Sequence, residues 1–244
     1  AEKEGLDPRE LFVVSVMPCT AKKFEAGRPE LGHDGLADVD AVLTVRELAR
    51  MIREAGIDFT ALPDEDFDPV LGEDTGAAVI FGATGGVMEA ALRTVADILA
   101  GEDLQQIEYT AVRGIEGVKE ATVNVAGMDV RVAVAHGTGN AQALLDQVIA
   151  GEKTYHFIEI MGCPGGCVNG GGQPHVPAKI RMKLDPKVER ARALYQEDRD
   201  KPLRKSHKNP AITQIYEEFF GEPGSHRAHE LLHTHYTARS RFGK

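Results

Sequence analysis

The stretch from Phe157 to Pro174, FIEIMGCPGGCVNGGGQP, constrains this chain more than any other. An apolar run, FIEIM, leads into it and predicts a buried strand. The rest holds Cys163, Cys167 and the glycines Gly162, Gly165, Gly166, Gly170, Gly171 and Gly172. Glycine at this density lets backbone approach a neighbour closely and visit positive φ. Thiols beside such a loop predict that the neighbour is bound by sulfur. The third cysteine, Cys19, follows another apolar run in FVVSVMPCTAKKFE. Both cysteine segments therefore lie just past predicted strand ends, where open α/β sheets place their ligands.

Three cysteines are an odd number and no disulfide framework. A reduced, cytoplasmic setting is the expectation. No apolar run approaches the ~18 residues of a membrane helix. A net charge of −10 argues against a nucleic-acid binder. The charge is uneven: residues 176–244 carry 15 Lys and Arg against 9 Asp and Glu, the remainder 13 against 29. A basic tail over an acidic body is the plain reading, and a docking surface for an electron-transfer partner the functional one. A chain of 244 residues can hold one large domain or two small lobes. Its opening, AEKEGLDPRELF, reads as a helix end, a stop at Gly5 and a strand entry, as expected of an interior piece of a longer chain.

The pattern predicts a strand over Phe12 to Met17, ended by Pro18. A short strand or helix lead-in follows over Ala41 to Val45. Thr44 and Glu47 predict a capping box on a helix from Val45 to Glu54, stopped by Gly56. Residues 58–75 are acidic and read as a surface loop, functional or merely solvated. Val87, Ala91, Val95 and Ile98 recur at helical spacing, and Gly85-Gly86 at that helix start would leave N–H groups open to a ligand. Tyr109 to Val112 alternates like a strand. Val118–Val125 and Val130–Ala135 predict a hairpin turning at Gly127-Met128. The second of these strands runs through HGTGN into a helix over Ala141 to Ile149, a βα unit. Helices are predicted over 185–196, 209–220 and Ser225 to His235.

Several short motifs compete with sulfur ligation. The glycine turns at 82–86 and 137–139 fit neither the P-loop nor the dinucleotide fingerprint. HELLH (His229 to His233) matches the H-E-x-x-H zinc pattern, but it lies in a basic terminal helix with no evident third ligand. Cys19 beside Lys22 and Lys23 would have an activated thiol, yet no nearby His serves as its base. Cys163 and Cys167 are separated by three residues, whereas zinc knuckles and redox pairs prefer two. Soft thiolates in oxygen-poor surroundings suit iron–sulfur chemistry, for which a four-iron cube normally takes four cysteines.

MPCTAKKFE (Met17 to Glu25) and EIMGCPGGCVNGGGQP (Glu159 to Pro174) resemble two of the three signature segments of the [FeFe]-hydrogenase catalytic domain. TGAAVIFGATGGVMEAALR (Thr75 to Arg93) and the tail RKSHKNPAI…GEPGSHRAHELLHTHY are also similar to that family. The resemblance spans essentially the whole chain. It implies an α/β fold of two lobes, parallel β-sheets flanked by helices, with a C-terminal helical tail. Residues 1–75 would be the remainder of the first lobe with Cys19, residues 76–177 the second lobe with Cys163 and Cys167, and residues 178–244 the tail.

The resemblance also implies an H-cluster: a [4Fe–4S] cube joined through one cysteine to a di-iron unit carrying CO, cyanide and azadithiolate. Cys19 and Cys163 would ligate the cube, and Cys167 would ligate it and bridge to the di-iron unit. Lys22 would donate hydrogen bonds to a cyanide, as suits an ammonium. Met17 and Met161 would pack against the di-iron unit, and Pro18, Phe81, Gly82 and Val87 would line its pocket. The glycines would pack closely around this bulky cluster. The implied reaction is heterolytic oxidation or formation of H2 in an anaerobic setting. Electrons would pass to ferredoxin or to NAD(P)-linked subunits.

The family's first signature, Thr-Ser-Cys-Cys-Pro-x-Trp, does not occur here, and the chain has no Trp. An upstream segment of the same gene product is the favoured source of the fourth cysteine. A separate polypeptide or a degenerate relative are the other readings. The family's non-catalytic iron–sulfur assembly members (Narf-like) are the alternative function, against which Lys22, Met161 and the GGGQP run weigh. A thiol-redox protein would instead show a Cys163–Cys167 disulfide.

Overall fold

The computed structural model describes residues 1, 4–68, 71–105 and 107–238. In chain order its strands and α-helices are β1 (Val14–Met17), α1 (Ala21–Ala26), β2 (Gly32–His33), β3 (Leu36–Ala37), β4 (Ala41–Thr44), α2 (Val45–Glu54), α3 (Gly76–Ile80), α4 (Gly86–Ala100), β5 (Val118–Val125), β6 (Met128–His136), α5 (Thr138–Ile149), β7 (Phe157–Met161), α6 (Ala178–Arg181), α7 (Pro186–Asp200), α8 (Pro210–Ile215) and α9 (His226–Leu232). The fold is mixed α/β. The chain divides into two compact units, Ala1–Pro63 with Gly171–Pro174 and Gln214–Lys244, and Asp64–Gly170 with His175–Thr213. These units are discontinuous in sequence, unlike the three consecutive segments drawn from the sequence. No helix among the described residues is long and apolar enough to cross a membrane.

In the first unit β1 pairs parallel with β4, from Val14 opposite Ala41 to Met17 opposite Thr44. The Asp40 carboxylate accepts the Val13 N–H at 2.7 Å and so fixes where the pairing starts. The predicted capping box is present: Glu47 N–H donates to Thr44 Oγ1 at 3.2 Å, and Thr44 N–H to Glu47 Oε2 at 2.8 Å. These bonds satisfy donors that a helix N-terminus otherwise leaves open. The Thr44 N–H, then the Lys23 ammonium, hold the Glu47 carboxyl down to about 2. Asp34 and Gly35, at φ 53° and 80°, close the small β2–β3 hairpin. In the tail, Arg28 lies 5.0 Å from the Tyr236 ring centroid and Glu30 accepts from Thr237 at 2.9 Å.

In the second unit β6 is the central strand, antiparallel to β5 and parallel to β7. Its alternating side chains serve both faces. Val132 and Val134 pack with Met88, Leu92 and Ala96 of α4, while Ala133 and Ala135 pack with Leu144 of α5. The helices thus cover the strand on two sides, and α5 makes the parallel crossover from β6 to β7.

Several local expectations change. Tyr109–Val112 is no strand: Thr110–Val112 is a 3-10 turn, and Tyr109 and Val112 are buried in the α4 core. The hairpin turns at Ala126-Gly127, at φ 49° and 86°, not at Gly127-Met128. On α4 the apolar stripe read at helical spacing is half-buried at Val87 and Ala91 and exposed at Val95, 39%, and Ile98, 70%. The buried face instead carries Glu89, Arg93 and Asp97 beside its apolar residues. Those charges are buried because each is paired, Arg93 with both Glu89 and Asp198, and Asp97 with Lys205.

The tail departs from expectation as well. The helix predicted over 209–220 begins at the Asn209 cap but changes to a π-helical turn over Tyr216–Phe220, where Gly221 N–H reaches Tyr216 O. The last helix stops at Leu232.

Candidate metal centre

The first unit holds four of the candidate residues. Parallel pairing of β1 ends at Met17, and Pro18 turns the chain. The Pro18 carbonyl accepts the Gly172 N–H at 3.0 Å. Gly172 is buried, and a Cβ there would lie 2.9 Å from Pro18 C and 3.0 Å from Cys19 N. The Cys19 thiol is half-buried. Lys22 stands in the first turn of α1, where its ammonium pairs with Glu25. Met17 and Lys22 line a cavity of about 290 Å³ together with Ser15, Asp38 and Val42.

The second unit holds the other six. β7 delivers the chain to Met161, and Cys163 and Cys167 follow on a turn in which Gly166 N–H donates to Cys163 O at 2.9 Å. Both thiols are half-buried and no disulfide joins them. Gly165 and Gly166 take φ of 86° and 95°, conformations that L side chains rarely adopt. A Cβ on Gly166 would lie 2.7 Å from Thr84 N and 2.9 Å from Gly82 O. Val168 N–H donates to the same Gly82 carbonyl at 2.9 Å, and Thr84 N–H donates to Gly165 O at 3.1 Å. The cysteine turn is therefore clamped onto residues 82–84. Phe81 is 44% exposed beside that clamp, and Gly82 and Val87 are half-buried.

The glycines thus have a sharper use than the sequence suggests. Gly166 and Gly172 close on protein backbone, where any side chain would collide. Gly162 is different, since nothing lies within 4 Å of the position of a Cβ there. Half-buried sulfur on a tight turn, two residues past Met161, fits the soft donor chemistry of an iron–sulfur group.

Two groups that the sequence did not single out shape this region. Glu159 is the charged residue within FIEIM, and it is only 5% exposed. Its carboxylate accepts the N–H of Gly85 at 2.6 Å and of Met88 at 2.7 Å. These N–H groups at the start of α4, expected to be open to a ligand, are already occupied by protein. Lys119 on β5 is also buried and donates to the carbonyls of Thr84 at 3.1 Å and Gly114 at 2.9 Å. A carboxylate inside an apolar strand was the available signal, because a buried charge must be paired.

HELLH straddles the end of α9, with the rings of His229 and His233 4.4 Å apart. Among the described residues no three His, Cys, Asp or Glu side chains form a single-ion site.

Residues 1–171 match the family described as iron only hydrogenase large subunit, C-terminal domain, and residues 185–239 match the iron hydrogenase small subunit family. "Iron hydrogenase 1" of Clostridium pasteurianum is 53% identical over 95% of this chain and 40% of its own length. The chain thus spans about two fifths of that curated relative. "Cytosolic iron-sulfur assembly component 3" of Mus musculus is 32% identical over 98% of this chain and 50% of its own length. A solved [FeFe]-hydrogenase structure concerned with stepwise H-cluster assembly superposes with a TM-score of 0.77 at 40% identity, covering 98% of this chain and 66% of that one. The chain belongs to the family formed by the C-terminal domains of iron-only hydrogenase large subunits.

Proposed function

We propose that this chain is part of an iron hydrogenase and supplies three thiolates to its catalytic metal centre, for reversible oxidation of H2 and reduction of protons. One observation carries the reading: two cysteine turns follow strands of parallel pairing, and each is closed by a glycine without room for a Cβ, Gly172 at Cys19 and Gly166 at Cys163 and Cys167. When bound, the H-cluster, with its cube and its di-iron unit bearing CO, cyanide and azadithiolate, supplies the heterolytic chemistry.

Cys19 and Cys163 would hold the cube, and Cys167 would hold it and bridge to the di-iron unit. Lys22 would exchange Glu25 for an anionic ligand and donate hydrogen bonds to it. Met17, Met161, Phe81 and Val87, with the close backbone of Pro18 and Gly82, would exclude water from the reacting atoms. A fourth thiolate and the proton path must come from residues other than these. Electrons would pass to a carrier such as ferredoxin or an NAD(P)-linked subunit, in the cytoplasm.

The second reading, an iron–sulfur assembly role without H2 turnover, is supported by the 32% identical assembly relative. The 53% identity to a hydrogenase, together with Lys22 and Met161, favours catalysis. H2 evolution from reduced viologen separates the two. The matured full-length gene product should turn over and the 244 residues alone should not. An iron-loaded full-length protein with no H2 activity would move the assignment to the assembly class.

A further inference from the structure

Cys163 and Cys167 sit on one side of a closed circuit of contacts. β7 carries Glu159 four residues before Cys163. The Glu159 carboxylate grips Gly85 and Met88 at the N-terminus of α4, a helix of 15 residues. Two charge-assisted bonds at the positive end of a helix are among the stronger ties available to a carboxylate. From β5, Lys119 grips the carbonyl of Thr84, and a Cβ on Gly85 would come within 3.2 Å of its Nζ. Thr84 N–H then holds Gly165 O at 3.1 Å, and Gly82 O holds Val168 N–H at 2.9 Å. That returns the path to the turn between the two thiols. Every link is protein to protein, and every link is buried or half-buried.

We propose that Glu159 and Lys119 are positioning residues that fix the Cys163–Cys167 turn before any metal arrives. They act through residues 82–88, of which Gly82 to Thr84 hold the cysteine turn. Supporting groups of this kind orient metal ligands and limit how far they relax when the metal is absent. Glu159→Gln is the informative change. Its amide keeps the shape but can accept only one of the two N–H groups and turns a second donor on the other. Lys119→Met keeps the length and strands the Thr84 and Gly114 carbonyls.

The role in metal binding rests on reading Cys163 and Cys167 as ligands, but the positioning itself can be measured without metal. In the metal-free full-length protein, a short pulse of alkylating agent followed by peptide mass spectrometry gives a labelling rate for each cysteine. Glu159→Gln and Lys119→Met should each raise the rates at Cys163 and Cys167 about tenfold and leave Cys19 unchanged. Asp198→Asn, which weakens the same unit elsewhere, serves as the control for general loosening. Unchanged rates in both variants would overturn the proposal. So would equal increases at all three cysteines, or the same increase in Asp198→Asn. If one variant fails to fold, the other carries the test.

Iron content separates this proposal from the functional one. If Cys163→Ser keeps full iron while Glu159→Gln still raises labelling, the positioning stands and the ligand assignment falls.

Discussion

The Asp198 carboxylate holds the Arg93 guanidinium through bonds of 2.7 and 2.9 Å, joining residues 105 apart in sequence. Both side chains are fully buried, and Arg93 also meets Glu89 at 2.9 Å. Breaking one member of such a pair leaves an uncompensated charge in the interior. Asp198→Asn should therefore destabilise the protein by about 3 kcal/mol. Denaturant unfolding checks this, and a loss below about 1 kcal/mol would mean that the pair is solvated.

Burial lowers the Lys119 ammonium to about 8, against the opposing pull of Glu159 and Glu116. Its ordinary value is 10.5. Between these values the unfolded chain binds more protons than the folded one, so this group makes stability rise with pH. Below pH 8 both states are protonated and the cost of burying the charge is carried in full. From pH 8 to 10.5 the wild type should gain on the order of 2 kcal/mol relative to Lys119→Met. Unfolding curves at the two ends of that range check this, and a constant difference would show that Lys119 does not titrate there.

Much of the local fold is written in the sequence because its signals are short-range. Thr44 with Glu47 declares the start of α2, whereas the Asp34-Gly35 hairpin pair, an equally short signal, went unread. The strand ends at Cys19 and Cys163 are equally legible. Long-range pairing is what the periodicity missed. Glu89, Arg93 and Asp97 look like the solvent face of α4, and only partners far along the chain, Asp198 and Lys205, make their burial tolerable. For the same reason the helix start at Gly85-Gly86 read as leaving N–H groups open to a ligand, when Glu159 already accepts from Gly85. The glycines were legible as close approach, but not as approach to protein backbone.

Gly172 and Gly162 offer a direct contrast within one loop. A Cβ at Gly172 would meet Pro18 and Thr44 at 2.9 Å, whereas one at Gly162 would meet nothing within 4 Å. Gly172→Ala should cost roughly 1–3 kcal/mol, as overpacking does. Gly162→Ala should stay within about 0.5 kcal/mol of the wild type. Thermal unfolding of the two metal-free variants checks the contrast, and equal losses would contradict it.

We propose that Cys167 joins two metal units while Cys19 and Cys163 hold only one. The most direct measurement is infrared spectroscopy of the matured full-length protein with Cys167→Ala, with iron counted on the same sample. The CO and cyanide bands and H2 turnover should disappear and iron content should fall. Full iron content with CO and cyanide bands intact would contradict it.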